Sequence, residues 1–171
     1  MDGFAVSFVI KLGVVVVAEK TNAMRVLDGS KVRYEVLTFS AEFHSADEVA
    51  EILGLPPDEV YKTLVVLRPK GKPLLVMIAA DKELDLKKVA QAVGEKKVHM
   101  ALHREAEELT GLQVGGISAL ALLGKPFDIF IDRPATGRER IVISAGQRGM
   151  DVGLAVSDLI RVTRARVIDA T

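Results

Sequence analysis

The chain has 171 residues, of which 49% are hydrophobic and 5% aromatic, with no Trp and no Cys. Its 23 Lys and Arg balance 23 Asp and Glu, so the formal net charge is zero and nucleic-acid binding through global electrostatics is not indicated; a basic patch would have to be local. The missing cysteines exclude disulfides, thiolate metal sites and cysteine nucleophiles, and they fit a reducing, cytoplasmic setting.

Phe4 to Ala18 is nearly all apolar, interrupted by Lys11 and Gly13. It is too short to span a bilayer comfortably and lacks the basic lead and small-residue cleavage site of a secretory signal. Residues 1–19 therefore read as an extra strand or an extension. Residues 20–171 read as a single domain without linker or repeat, and no membrane partner is expected.

Lys20 to Leu27 predicts a short helix capped by Thr21 or Asn22 and stopped by Gly29. Val32 to Phe39 alternates apolar and charged residues, as a half-buried strand does. Ser45-Ala46-Asp47-Glu48 is a capping box that opens a helix closed by Gly54. Val60 to Leu67 and Leu74 to Ala80 predict two strands joined across the turn Arg68–Pro73. Asp85 caps a helix ended by Gly94. Val98 to Ala101 is a short strand, and Glu105 to Thr110 a helical turn ending at Gly111. Phe127 to Ile131 predicts a buried strand ending at Asp132, and Arg133 to Glu139 a polar loop. Arg140 to Ser144 and Met150 to Ala155 predict strands around a turn at Ala145–Gly149. Ser157 is expected to cap a last helix, and Arg166 to Ile168 to add a final strand. The set is an α+β fold with a mixed, closed, barrel-like sheet surrounded by helices.

Lys62 is the anomaly. In a strand it shares a face with Val60, Leu64 and Val66. An ammonium in an apolar row is costly unless it reaches water or a partner. Either its stem covers apolar surface while the head stays wet, or it lines a pocket and meets something negative. Gly115-Gly116-Ile117-Ser118 is either a plain turn or a loop whose amides, if Ala119 to Leu123 begin a helix, hold an anion. Ser144-Ala145-Gly146-Gln147-Arg148-Gly149 is a tight hairpin or the wall of a nucleotide pocket, with Arg148 near phosphate. Asp132 is a turn former or a polar anchor in the same site. His44, His99 and His103 lack the spacing of a metal motif, and no metal or cofactor is expected.

Four blocks taken together resemble a known family. They are Val60-Tyr61-Lys62-Thr63-Leu64, Glu83 to Ala90, Thr110-Gly111 with Val114 to Ser118, and Val142 to Gly149. In this order they are similar to the signature blocks of the YbaK/EbsC family, from about Lys20 to the C-terminus. The resemblance implies a trans-acting aminoacyl-tRNA deacylase related to the editing domain of prolyl-tRNA synthetase. It implies a mixed β-barrel fold, the acceptor end of aminoacyl-tRNA as partner, and prolyl-tRNA synthetase as a further one. The branch it suggests clears cysteine from tRNA specific for proline, with the substrate's own thiol attacking its ester. Alternatives are an alanine-specific deacylase and a non-catalytic module that binds tRNA or a synthetase. The resemblance places Lys62, Gly116 and Asp132 in catalytic roles, with the Gly116 and Ile117 amides on the carbonyl oxygen. Phe39, Thr63, Gly115, Ile117, Ser118, Ser144, Ala145, Gly146 and Arg148 would contact substrate. Two departures stand out. The Pro and the basic residues that often follow the glycine loop are replaced by Ala119-Leu120-Ala121-Leu122, and Phe39 stands where relatives often carry Tyr.

Overall fold

The computed structural model describes residues 19–171, so the expectation for the N-terminal apolar segment lies outside the described residues. The chain opens with helix α1 (Asn22–Gly29), whose N-cap Thr21 accepts a hydrogen bond from the Met24 amide. Strand β1 (Tyr34–Thr38) and helix α2 (Ala46–Leu53) follow. The capping box forms as expected: Glu48 N–H donates to Ser45 Oγ, and Ser45 N–H donates to Glu48 Oε2. Next come β2 (Tyr61–Leu67), β3 (Leu74–Ala79), α3 (Leu86–Val93), β4 (His99–Met100) and α4 (His103–Thr110). The second half adds β5 (Asp128–Asp132), β6 (Arg140–Gln147), β7 (Met150–Ala155), α5 (Val156–Thr163) and β8 (Arg166–Ile168).

These strands form two sheets. One has the order β1-β7-β6 and is antiparallel. The other has the order β4-β2-β3-β5-β8, antiparallel around β2 and parallel across β3, β5 and β8. The closed barrel expected from sequence is not what forms: among the described residues no sheet closes on itself. The sheets touch where Val60 bridges Val142 in parallel, with Val142 N–H donating to Glu59 O at 2.9 Å. One bridge is enough to set their relative placement but not to continue the ladder.

Strand β3 is buried along its whole length, as a central strand covered on both faces should be. Its odd and even side chains feed different cores. Leu75 and Met77 join the large cluster between the sheets and α1, whereas Leu74, Val76 and Ile78 pack under α3 with Val89 and Phe130. Each such side chain contributes roughly 1.5–3 kcal/mol of transfer free energy. A third cluster, Val49, Ala50, Val60, Ala80 and Val142, seats α2 at the junction of the sheets.

Four local expectations change, the first being that the polar loop expected over Arg133 to Glu139 begins with a 3-10 helix, Arg133–Gly137. Strand β6 continues to Gln147 through a register shift after Ser144, so the turn is shorter than Ala145–Gly149. The extra residues make a bulge, with Gly146 at φ +99°. Helix α5 starts at Val156 with Ala155 as N-cap, which puts Ser157 inside it. Ala119 to Leu123 forms only a 3-10 turn over Leu120–Leu122. Ala119, Leu120 and Leu122 are all buried, so the segment fills the core and has no polar face on which to build an amphipathic helix.

Asp132 ends β5 and is buried. It accepts from the Ala170 amide at 2.8 Å and from the Thr171 hydroxyl at 2.6 Å, so it holds the C-terminal segment against the sheet. Asp132→Ala strands the Ala170 amide and is expected to cost about 1–3 kcal/mol, read as a lower denaturation midpoint together with faster hydrogen exchange at Ala170. Unchanged exchange with lost turnover would instead place Asp132 in the chemistry.

Candidate functional site

A cleft of about 260 Å³ opens where β2 meets β6 and β7. Its walls come from the Phe43–Asp47 segment, from β2, from Met100 to Ala106, from the Val114–Ile117 loop, and from Ser144 and Asp151. Lys62 is half-buried in it, and its ammonium donates to Ala80 O at 3.0 Å. The ammonium is therefore held, not left to sweep through solvent. Its other N–H donors remain for a ligand.

Asp151 faces Ser144 across the β6–β7 ladder and is 5% exposed. Burial alone raises its pKa from 3.8 to about 7. No cation lowers it, so Lys62 and Asp151 line one cleft without pairing. A carboxylate and an ammonium kept apart in an apolar site are an expensive arrangement for folding and a useful one for binding. Asp151 was not singled out from sequence. The signal was there: one acid in the apolar run Met150-Asp151-Val152-Gly153-Leu154, the same kind of anomaly that marks Lys62.

Of the sequence-derived site residues, Lys62, Thr63, Gly115, Ile117 and Ser144 line the cleft. Ser144 Oγ accepts the Gly146 amide at 3.2 Å within the bulge. Arg148 stands at the rim, its Nε donating to Val114 O at 2.8 Å. Phe39 lies behind the wall, its ring centroid 6.0 Å from that of His44. Ala145 is core, Ser118 is buried with its hydroxyl unpartnered, and Asp132 does not line the cleft. Tyr61 and His44 line it as well. Burial, ahead of nearby carboxylates including Asp132, pushes the Tyr61 phenol up to about 12, so it stays protonated as a donor. His44 has a buried Nε2 with no hydrogen-bond partner among the described residues. No imidazole is bonded to a hydroxyl here, so a serine nucleophile with its base is not assembled.

The glycine loop works differently from the amide cradle the sequence suggests. Gly116 N–H donates to Gln113 O at 2.8 Å and is occupied in a turn. The Ile117 amide has no backbone or side-chain acceptor among the described residues and lies at the cleft wall. Gly116 is required for another reason. A Cβ there would stand 2.8–2.9 Å from the backbone of Gln147 and Arg148. The loop is pressed directly onto the bulged hairpin, and only glycine permits that distance.

The aminoacyl-tRNA editing domain family matches residues 40–162, which include β2, the glycine loop, the bulged hairpin and Asp151. The chain belongs to this family, and its class of activity is aminoacyl-tRNA editing by deacylation. It is 38% identical over 155 residues to EbsC of Enterococcus faecalis, covering 90% of this chain and 94% of that one. That protein is named, provisionally, as a Cys-tRNA(Pro)/Cys-tRNA(Cys) deacylase. A proline–tRNA ligase of Thermodesulfovibrio yellowstonii is 38% identical over 77 residues, which span 45% of this chain but only 13% of the ligase. Among solved structures, a hypothetical protein superposes with a TM-score of 0.81 at 26% identity, covering 87% of this chain and 98% of that one. A protein described as a candidate trans-editing enzyme for prolyl-tRNA synthetase shares the fold, with a TM-score of 0.75 at 24% identity over 90% of this chain and 99% of that one.

Gly116→Ala must move the hairpin backbone and is expected to cost about 1–3 kcal/mol, seen as a lower melting temperature, with a larger proportional loss of deacylation. Asp151 makes stability depend on pH with a definite sign. Between 3.8 and about 7 the unfolded chain has released this proton while the folded chain keeps it, so stability falls as pH rises and levels off above about 7. The full loss is on the order of 4 kcal/mol. Asp151→Asn lacks this term, so denaturant midpoints should diverge in the variant's favour from pH 4 to pH 8; a gap independent of pH would mean that Asp151 is ionised at all these values.

Proposed function

We propose that the protein removes cysteine from tRNA specific for proline, holding the 3′-aminoacyl-adenosine and leaving the nucleophilic step to the substrate. The observation that carries this is a cleft with an unpaired ammonium, an unpaired carboxylate and no assembled nucleophile. An aminoacyl ester presents the complementary pair: an α-ammonium beside the carbonyl and a phosphate one nucleoside away. In this reading Asp151 takes the ammonium and Lys62 takes the phosphate or the charge building on the carbonyl oxygen, with the Ile117 amide as the neutral donor.

The cysteine sulfur then attacks its own carbonyl carbon. A sulfur–carbon bond forms, the bond from carbonyl carbon to the ribose 3′-oxygen breaks, and the thiol proton ends on that oxygen. The protein's contribution is orientation and charge stabilisation, which suffices for an ester already activated. Mischarging arises because a synthetase pocket discriminates poorly between side chains of similar size, so a second hydrolytic check is needed. The likeness to EbsC supports cysteine over other residues, and the likeness to proline–tRNA ligases supports tRNA for proline and an encounter with that synthetase.

Lys62→Ala is expected to lower kcat/KM for Cys-tRNA(Pro) by about a hundredfold or more while the melting temperature stays near that of the wild type. Turnover like the wild type would remove Lys62 from the site. A panel of Cys-, Ser- and Ala-charged tRNA(Pro) tests the chemistry. The thiol mechanism requires cysteine to be cleared far faster than serine, and faster clearance of alanine overturns it.

A further inference from the structure

Phe43 stands apart from the three hydrophobic clusters. It lines the cleft yet is 51% exposed, which makes it a solvent-facing aromatic at the mouth of the site. Its place is fixed. The segment that carries it is tied at one end by Phe39 N–H to Gly149 O and at the other by the Ser45–Glu48 capping box. The Arg148 guanidinium lies 5.4 Å from the ring centroid, and Arg148 is itself pinned to Val114 O. Gly115, at φ +95°, lies against both: a Cβ there would stand 3.2 Å from Phe43 and 3.4 Å from Arg148. Three elements distant in sequence thus meet around one half-exposed aromatic ring with a cation over one of its faces.

Size decides what that plane is for. At about 260 Å³ the cleft is below the roughly 300–1,000 Å³ of sites that enclose a whole small molecule. It has room for an aminoacyl group and not for an adenosine as well, so the base must lie at the rim. Aromatic rings paired with Arg are the usual means of holding an unpaired base, through stacking and cation–π attraction that need no base-edge contact. We infer that Phe43, steadied by Arg148, is the platform on which the terminal base of the tRNA stacks while the aminoacyl group occupies the cleft. This rests on the aminoacyl-tRNA reading above. It adds a positioning residue that fixes the substrate's reach into the cleft that Lys62 also lines.

The experiment uses the full chain, Cys-tRNA(Pro), and uncharged tRNA carrying 2-aminopurine in place of its terminal adenine. Phe43→Leu keeps an apolar side chain and removes the π face; Phe43→Trp keeps the face. The Leu variant is expected to raise KM about tenfold or more with kcat within about twofold, and the Trp variant to restore KM. Binding to the wild type and the Trp variant should change 2-aminopurine fluorescence, and binding to the Leu variant should not. A Leu variant with unaltered KM and unaltered fluorescence response overturns the platform while leaving the deacylase reading intact. A drop in kcat alone, equal in both variants, also overturns it, because it would mean that Phe43 only packs the wall. If the wild type neither cleaves nor binds these tRNAs, the Cys-tRNA(Pro) reading itself falls.

Discussion

One backbone hydrogen bond, Val142 N–H to Glu59 O, fixes the geometry on which the site depends. It joins two sheets that are otherwise separate ladders. Three residues further along β2 from Glu59 lies Lys62, and two residues further along β6 from Val142 lies Ser144, whose ladder partner is Asp151. The parallel sense of the bridge means both strands run into the cleft together, so their polar residues arrive at the same depth. An antiparallel junction would send them to opposite ends. Helix α2 seals the junction from behind, with Val49 and Ala50 packed on Val60 and Val142.

Lys62 and Asp151 line one cleft without forming an ion pair. Each carries a desolvation cost, and the simplest way to relieve it would be an ion pair. The fold prevents this by anchoring Lys62 to Ala80 O at the end of β3 and setting Asp151 on a strand of the other sheet. What is withheld from folding is available to a ligand of opposite polarity at each end. This also disfavours a purely structural role for the cleft, since an apolar replacement at either position would be less costly to the native state.

Much of this was legible in the chain. Helix α2 could be read from Ser45 and Glu48, α3 from Asp85 and Gly94, and β2 and β3 from their β-branched runs around Arg68–Pro73. These features are local, and local chemistry decides them. Lys62 was legible for a related reason: a charge violates the strand's pattern visibly. Asp151 violates it equally, but it follows the glycine-rich turn Ser144 to Gly149, whose own signal is stronger. The open pair of sheets was not legible, because closure depends on whether one long-range bridge extends into a ladder. Nor was the role of Gly116. Its positive-φ neighbour Gly115 suits a free amide cradle from sequence, but the contact with Gln147 and Arg148 is tertiary. The same applies to Asp132, whose partners lie about forty residues later at the C-terminus.

The replacement of a basic, proline-stiffened segment by Ala119-Leu120-Ala121-Leu122 follows from the same tertiary contact. In this chain the stretch is core: Ala121 Cβ lies against the Gly146 bulge, and Leu120 and Leu122 sit in the cluster beneath α1. Rigidity that a proline would supply by fixing φ is supplied here by the burial of Ala119, Leu120 and Leu122. The bulge that shapes the cleft is therefore braced from below by alanine and from the side by Gly116. Neither brace needs a charge. A segment so placed cannot also reach for phosphate, so attraction for the tRNA backbone has to come from cations at the rim, of which Arg148 is pinned in place and has no acidic partner among the described residues. A chain of zero formal net charge can then meet a polyanion through local cations where a single strand enters, without relying on global electrostatics.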